Sequence, residues 1–519
     1  MPTRVLDLGI TEGGALETPL REPVRLVNSI NVIGDRRYAC LSHRWSLSGH
    51  TLITKQTTYE RHMVGIRYQD LDLAFQDTVH IMRCLGVRYL WIDSSCIIQD
   101  NDEDWRTESK SMAIVYNKAL FTLARHCDSK TSLRYTPDVR EIVSDPSVSP
   151  PVYARIRFKH IWGQFRLDKD FYESPLLDRA WVYQERLLSP RVVHFSDTEI
   201  FWECYEVFDC QCGGEDNRGI ENDKSQKFYH ATALGFMERA KNPDKASLRL
   251  RWREMVAEYS EVDLTVTSDR LPAIQGCVQQ IRERLDESYH FGLWQGQLVQ
   301  NLAWMSNSFN PGPRLTSQFL TPTWSWASAG AGVWYPEITE YLSQAQLAAP
   351  LPRGDSHPAQ QSLLLLTGPL IPGRLKLRRA QDRSFKWVEI EVERKYLEPS
   401  ATSSSLSSPQ HNFSADVEMA TADWRGHVWC DIAIVRLGRS PRNMEAAKDG
   451  DFCLILWRYG QAIPGTGAER ATDDNHPIYQ RIGILEGDGW IYVEEKDYDA
   501  ATKVNINWNE VAEVTIAIE

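Results

Sequence analysis

The chain has 519 residues, of which 42% are hydrophobic and 25% charged, enough for two to four domains with their own cores. A formal net charge of −12 argues against a protein that coats nucleic acid. No apolar run has the length of a secretory signal or a bilayer span, so the ten cysteines are expected as reduced thiols in a cytoplasmic protein.

Residues 1–36 form an N-terminal arm with two short apolar runs, Arg4-Val5-Leu6 and Val24-Arg25-Leu26-Val27, expected as strands or an extended clasp. Tyr38-Ala39-Cys40-Leu41 is the first buried strand and ends in Ser42-His43-Arg44-Trp45. Residues 71–86 follow with Phe75, Val79, Met82 and Leu85 on one helical stripe and Gly86 suited to the C-terminal cap. Tyr89-Leu90-Trp91-Ile92 is a second buried strand, with Asp93, Ser94 and Ser95 at its carboxyl end. Asp100, Asp102, Glu103 and Asp104 crowd the next turn, where acids favour a helix start. The helix that follows carries Trp105, Met112, Val115, Tyr116 and Ala119 on one face. Glu108 falls on that same face, and a carboxylate inside an apolar stripe is a candidate for a raised pKa and for chemistry.

Leu120–Ala124 reads as a third strand. Strand, helix, strand, helix, strand predicts a parallel sheet covered by helices. In such sheets the ligand crevice lies beyond the carboxyl ends of the strands. The pattern therefore brings Ser42, His43, Arg44, Trp45, Asp93, Ser94, Trp105 and Glu108 to one rim. Leu177–Arg191 reads as a helix stopped by Ser189-Pro190, and two runs within 192–204 as a hairpin. Residues 206–330 are expected to be mainly helical. Residues 331–519 are expected as a β-rich module with a disordered, Ser-rich loop near 398–422.

Three blocks carry a family resemblance: YACLSHRWS at 38–46, LGVRYLWIDSSCIIQDNDEDWRTESKSMAIVYNKA at 85–119, and RAWVYQERLLSPRVVHFS at 179–196. They resemble the fungal heterokaryon incompatibility (HET) domain over 37–205, and SDRLPAI at 268–274 and PTWSWAS at 322–328 are similar to its flanking regions. Ser46 stands where the family usually has glycine. The resemblance implies non-self recognition and regulated cell death, with an unidentified incompatibility partner. The core is in turn similar to the TIR domain, which implies a flavodoxin-like α/β fold, assembly as a homo-oligomer and cleavage of NAD. Leu41-Ser42-His43-Arg44 resembles the end of the first TIR strand, and Trp105-Arg106-Thr107-Glu108 the Trp-x-x-Glu of the catalytic TIR helix.

On that likeness Glu108 is the catalytic candidate. Nicotinamide is already a cationic leaving group, so one carboxylate near the ribose can suffice, with NAD as substrate and no separate cofactor. The same residue can simply complement the helix dipole or pair with an arginine such as Arg179. Trp105 can stack on a base or fill the core; Arg44 can hold a pyrophosphate or bridge to the acidic turn; Ser42 can bind the ligand or cap a turn. Asp93 can hold ribose or order its own turn, and His43 is a surface or satisfied polar residue in the simpler reading. Arg179 and Trp181 can close the rim, or belong with Gln184, Glu185 and Arg186 to a buried polar network. Cys96 lacks a base beside it, and Cys204, Cys210, Cys212 and His194 lack paired Cys-x-x-Cys spacing, so neither a thiol nucleophile nor a metal site is expected. Two other functions fit the same residues: a non-enzymatic signalling module, and a nucleotide sensor that does not cleave its ligand.

Overall fold

The structure is a computed structural model and describes residues 1–9, 22–44, 52–126, 139–143, 152–155, 175–196, 200–211, 226–234, 244–306, 321–347, 363–379, 386–392, 412–415, 430–441, 449–458, 478–487, 490–493, 502–505 and 511–518. The chain divides into two compact units. The first is Met1–Arg251 with Val262–Leu264 and Pro272–Leu285; the second is Trp252–Glu261, Thr265–Leu271 and Asp286–Glu519. Trp45 and the greater part of 398–422 lie outside the described residues. No helix among the described residues is long and apolar enough to cross a membrane.

The first unit is mixed α/β. Its strands and helices include β1 (Arg4–Asp7), β2 (Arg25–Asn28), β3 (Tyr38–Ser42), α1 (Gln56–Val64), α2 (Leu73–Cys84), β4 (Tyr89–Trp91), α3 (Asp93–Cys96), α4 (Asp102–Asn117) and β5 (Thr122–Arg125). There follow a hairpin of β6 (Val139–Val143) and β7 (Val152–Arg155), then α5 (Ala180–Leu188), β8 (Arg191–Phe195), β9 (Ile200–Cys204), β10 (Phe208–Cys210) and α6 (Gln226–Ala233). Eight strands form one sheet in the order β10-β9-β8-β5-β3-β4-β1-β2.

The centre of this sheet is parallel. Tyr38 pairs with Tyr89 and Cys40 with Trp91; Ser42 pairs with Ala124, and Ala124 in turn with His194. Every residue of β3, β4 and β5 is buried, as the near-continuous apolar runs require of strands covered on both faces. The N-terminal arm supplies two strands: β1 runs antiparallel to β4, with Leu6 opposite Leu90, and β2 pairs with β1.

The helix ends follow local chemistry. Asp72 caps α2 by accepting from Phe75 N–H at 3.0 Å. Gly86, at φ +70°, closes the other end: its N–H bonds Arg83 O and Val87 N–H bonds Met82 O, the pair of bonds that defines a Schellman cap. Asn101 caps α4 by accepting from Glu103 and Asp104 N–H, which places three acids in the first turn. Met112, Val115 and Tyr116 face the core from α4, and so does Glu108. Trp105 does not: it is 38% exposed.

The second unit is β-rich, and its main sheet closes on itself. Leu364–Arg379 pairs through Leu364–Pro369 with Glu513–Ile518, and through Leu370–Leu375 with Cys430–Pro441. Cys430–Pro441 pairs with Asp449–Arg458, that strand with Ile478–Gly487, and Ile478–Gly487 meets Glu513–Ile518 in parallel. Asn412–Ala415, inside the stretch expected as a loop, is a strand on Ile478–Gly487. Arg481 reaches from that ladder over the Trp304 ring at 3.4 Å and donates to the carbonyls of Leu302 and Trp304.

PTWSWAS forms a buried 3-10 turn in this unit. Ser325 accepts from Ala327 N–H, and the indoles of Trp252 and Trp326 both donate to the carbonyl of Gly292 at 3.1 Å. Arg270 of SDRLPAI lies over Trp326, and its carbonyl accepts from the Tyr259 hydroxyl at 2.7 Å.

Candidate functional site

The connection order of the parallel strands decides where a crevice forms. From β3 the chain passes to β4 on one side, then crosses to β5 on the other. Such a reversal opens a crevice beyond the carboxyl ends of the two strands it separates, here β3 and β5. Ser42 ends β3 at this point.

The residue that meets Ser42 there is Glu185. Ser42 donates from Oγ to Glu185 Oε2 at 2.6 Å, and the Tyr116 hydroxyl from α4 bonds the same carboxyl. Arg179, at the N-cap of α5, donates to the His43 carbonyl at 2.9 Å and places its charge near Glu185. Asp93, at the end of β4, lies 3.9 Å from His43 Nδ1 and also acts on Glu185 through its charge. Ser42, His43, Asp93, Arg179, Tyr116 and Glu185 therefore form one cluster at the carboxyl edge of the sheet.

Glu185 is only 6% exposed. Burial pushes its carboxyl up to about 7, and the Asp93 charge adds to the rise; Ser42, Arg179 and Tyr116 act against it. The stability consequence has a definite sign. Between the ordinary value of 4.5 and about 7, the unfolded chain gives up a proton that the folded chain keeps. Stability from this group is complete below pH 4.5 and is lost as pH rises through about 7. The loss is about 3 kcal/mol, since each tenfold change in proton affinity is worth about 1.4 kcal/mol. Urea unfolding at pH 5 and pH 8 should show the wild type losing most of that amount relative to Glu185→Gln. A difference that stays constant with pH would mean that the carboxyl is ionised throughout.

Glu108 occupies a different niche. It is 3% exposed and sits 3.6 Å from the Arg4 guanidinium, with a hydrogen bond to Thr3. Burial raises its carboxyl, while Thr3 and Arg4 act against the rise. Arg4 also donates to the Cys96 carbonyl at 2.7 Å and to Asp104 at 2.5 Å, so the start of β1 is tied to the start of α4.

Trp105 and Trp181 meet edge to face, with ring centres 6.4 Å apart, at the first turns of α4 and α5. Arg44 is exposed. Ser94 is fully buried, and its hydroxyl has no hydrogen-bond partner among the described residues. Cys96 is buried, with its thiol pushed up to about 12 by desolvation, which leaves it no thiolate at neutral pH. His194 bonds His126 at 2.9 Å and Glu203 at 3.0 Å.

Residues 38–185 match the family model for heterokaryon incompatibility protein (HET). This segment is a HET domain. No curated protein and no solved structure matches the chain. The HET match runs from the first residue of β3 to Glu185 itself, so it brackets the edge cluster. Sequence reasoning placed Glu185 in a buried polar network with Gln184 and Arg186 without singling it out. The available signal was a run of polar residues, Gln184-Glu185-Arg186, inside a helix whose neighbours Val182, Tyr183, Leu187 and Leu188 are all apolar or aromatic.

Proposed function

We propose that this protein acts in heterokaryon incompatibility and regulated cell death, and that its HET domain cleaves NAD at the carboxyl-edge cluster. The observation that carries the reading is a buried carboxyl with a pKa of about 7, bonded to the last residue of β3 at the crossover point. Support for a flavodoxin- or TIR-like core comes from the parallel order β4-β3-β5-β8, the second-first-third-fourth arrangement of that class.

The chemistry asks little of the site. The glycosidic C–N bond breaks, its electron pair neutralises the nicotinamide ring, and the ribose develops oxocarbenium character. Glu185 as carboxylate stabilises that charge and then takes the proton of the water that adds to the ribose. Asp93 and Ser42 hold ribose hydroxyls, Arg44 reaches the diphosphate, and Trp105 with Trp181 forms the stacking wall; Arg179 positions the His43 loop. Glu108, aligned with the TIR glutamate, is the rival carboxylate. The reaction belongs to a cytoplasmic homo-oligomer, with an incompatibility partner as its trigger.

The test is nicotinamide release from NAD by assembled protein, with Glu185→Gln and Glu108→Gln in parallel. Glu185→Gln is expected to lose roughly 100-fold or more, and Glu108→Gln to retain activity. Loss confined to Glu108→Gln moves the chemistry to α4. No nicotinamide from assembled wild type favours a second reading, a non-enzymatic signalling module, which the deep burial of both carboxyls independently supports. Heat on mixing with intact NAD, but no cleavage, identifies a sensor.

A further inference from the structure

Glu185 meets Ser42 and Tyr116 only while α5 keeps its register against β3 and α4. A slip of one residue moves a helix about 1.5 Å along its axis and turns it about 100°. Either change would take the carboxyl off both partners. Two segments that hold α5 in place lie beyond residue 185, where the HET match ends.

The start of α5 is tied to residues 262–264. Ala180 N–H donates to the Asp263 carbonyl at 3.0 Å, and Asp263 N–H to the Asp178 carbonyl at 2.5 Å. Arg179 and Asp263 thus pair as a short parallel bridge, which serves one of the N–H groups that a helix leaves open in its first turn.

The second hold lies one residue from Glu185, at Gln184. Gln184 is 2% exposed, and its Oε1 accepts from Gly276 N–H at 3.1 Å, in the first turn of the helix Gln275–Leu285. Gly276 lies against both helices of the cluster. A Cβ there would stand 2.5 Å from Ala113 Cβ in α4, 2.7 Å from Leu188 Cδ1 and 2.9 Å from Gln184 Oε1 in α5. Side chains do not pack that closely, and Ala113 Cβ has no rotamer by which to turn away. Ala113 precedes Tyr116 by three residues, about one turn, just as Gln184 adjoins Glu185. The glycine therefore sets how closely α4 and α5 approach where they bring Tyr116 and Glu185 together.

We propose that Gln184 and Gly276 are positioning residues for the Glu185 carboxyl, with the first turn of Gln275–Leu285 fixing the spacing of α4 and α5 around it. This role rests on the reading of Glu185 as the reacting carboxylate. The titratable and charged groups that act on Glu185 are Cys40 in β3, Asp93 after β4, Tyr116 in α4 and Arg179 at the start of α5. Burial pushes Cys40 and Tyr116 well up, so both stay neutral. None of these groups comes from 272–285, so that segment acts by placement and not by charge.

Two measurements on the full chain test this. The first needs no substrate. Urea unfolding of Gly276→Ala between about pH 4 and pH 9, with and without Glu185→Gln, gives the pH at which Glu185 exchanges its proton. Wild type is expected to place that midpoint at about 7. Gly276→Ala is expected to move it by about one pH unit or more, because the carboxyl leaves Ser42 and Tyr116 or meets water. The second is nicotinamide release from NAD, where kcat is expected to fall roughly ten- to a hundredfold with KM within about twofold of wild type. If circular dichroism shows Gly276→Ala unfolded, Gln184→Met decides by the same criteria, since it removes the acceptor and keeps the length. Positioning is refuted if the folded variant loses stability equally at every pH and the midpoint stays put, as packing alone would have it. A moved midpoint in protein whose wild type releases no nicotinamide refutes the cleavage reading and leaves the positioning of Glu185 standing. A moved midpoint with kcat unchanged means that another group reacts.

Discussion

Replacing Glu203 with alanine should destabilise the first unit by about 3–5 kcal/mol, the usual cost of stranding one member of a buried ion pair. Glu203 is fully buried in β9 and accepts from Arg186 through both oxygens, at 2.8 and 2.9 Å. His194 adds a third bond at 3.0 Å. Ionised Glu203 can only accept, so the Nε2 proton of His194 points at it, and one further proton bridges His194 Nδ1 and His126 Nε2. Burial, with the adjoining His194 ring and the Arg186 charge adding to it, keeps the His126 ring well below its ordinary pKa. Alanine at 203 removes both carboxylate oxygens at once and takes from Arg186 and His194 the bonds they make to Glu203 in the core. The double substitution Arg186→Met with Glu203→Leu should be milder than the single, because no lone charge remains. Urea denaturation of the three proteins measures both statements. A single-variant loss below about 1 kcal/mol would mean that the network is a surface-grade ion pair.

Gly292→Ala should damage the second unit to a similar degree. Gly292 has φ +100°, where a side chain is strained, at a cost of roughly 1–3 kcal/mol. A methyl group there would also lie within 3.0 Å of Trp326 Nε1 and 2.9 Å from its Cδ1. Overpacking of that kind adds roughly 1–3 kcal/mol. Trp326 cannot move aside, since its own indole N–H is bonded to the Gly292 carbonyl and Arg270 lies over its ring. Calorimetric melting should show a transition lowered by on the order of 10 °C, given about 2–4 °C per kcal/mol in a domain of this size. A midpoint within about 2 °C of wild type would show that the turn relaxes freely.

Local chemistry was legible in the sequence, and long-range partnership was not. The Asp72 cap, the Gly86 terminus and the acidic start of α4 each follow from neighbours within a few residues. The three central strands announce themselves as apolar runs. Helical spacing also found Glu108 as a carboxyl facing inward. What spacing cannot supply is the partner: Arg4 lies over a hundred residues earlier, and Ser42 is 143 residues from Glu185. Periodicity misled at Trp105, because spacing marks a face of the helix and not how much of that face is covered. Within Leu364–Arg379, Gly368, Pro369, Pro372 and Gly373 look like strand breakers. The strand continues through them because it changes partners between Pro369 and Leu370, and a bend there costs no ladder.

The position of β1 reaches beyond the site. It seals the flank of β4 and brings Thr3 and Arg4 onto Glu108, yet it lies outside the segment that the HET family recognises. On the other side, β8 also begins after that segment closes. Excised at the family limits, residues 38–185 would keep a remnant of three parallel strands with both borders bare, an invitation to stick to its own copies. The recognisable pattern is thus narrower than the piece of chain that can stand by itself. Transplanting this module between proteins means carrying both β1 and β8 along with it.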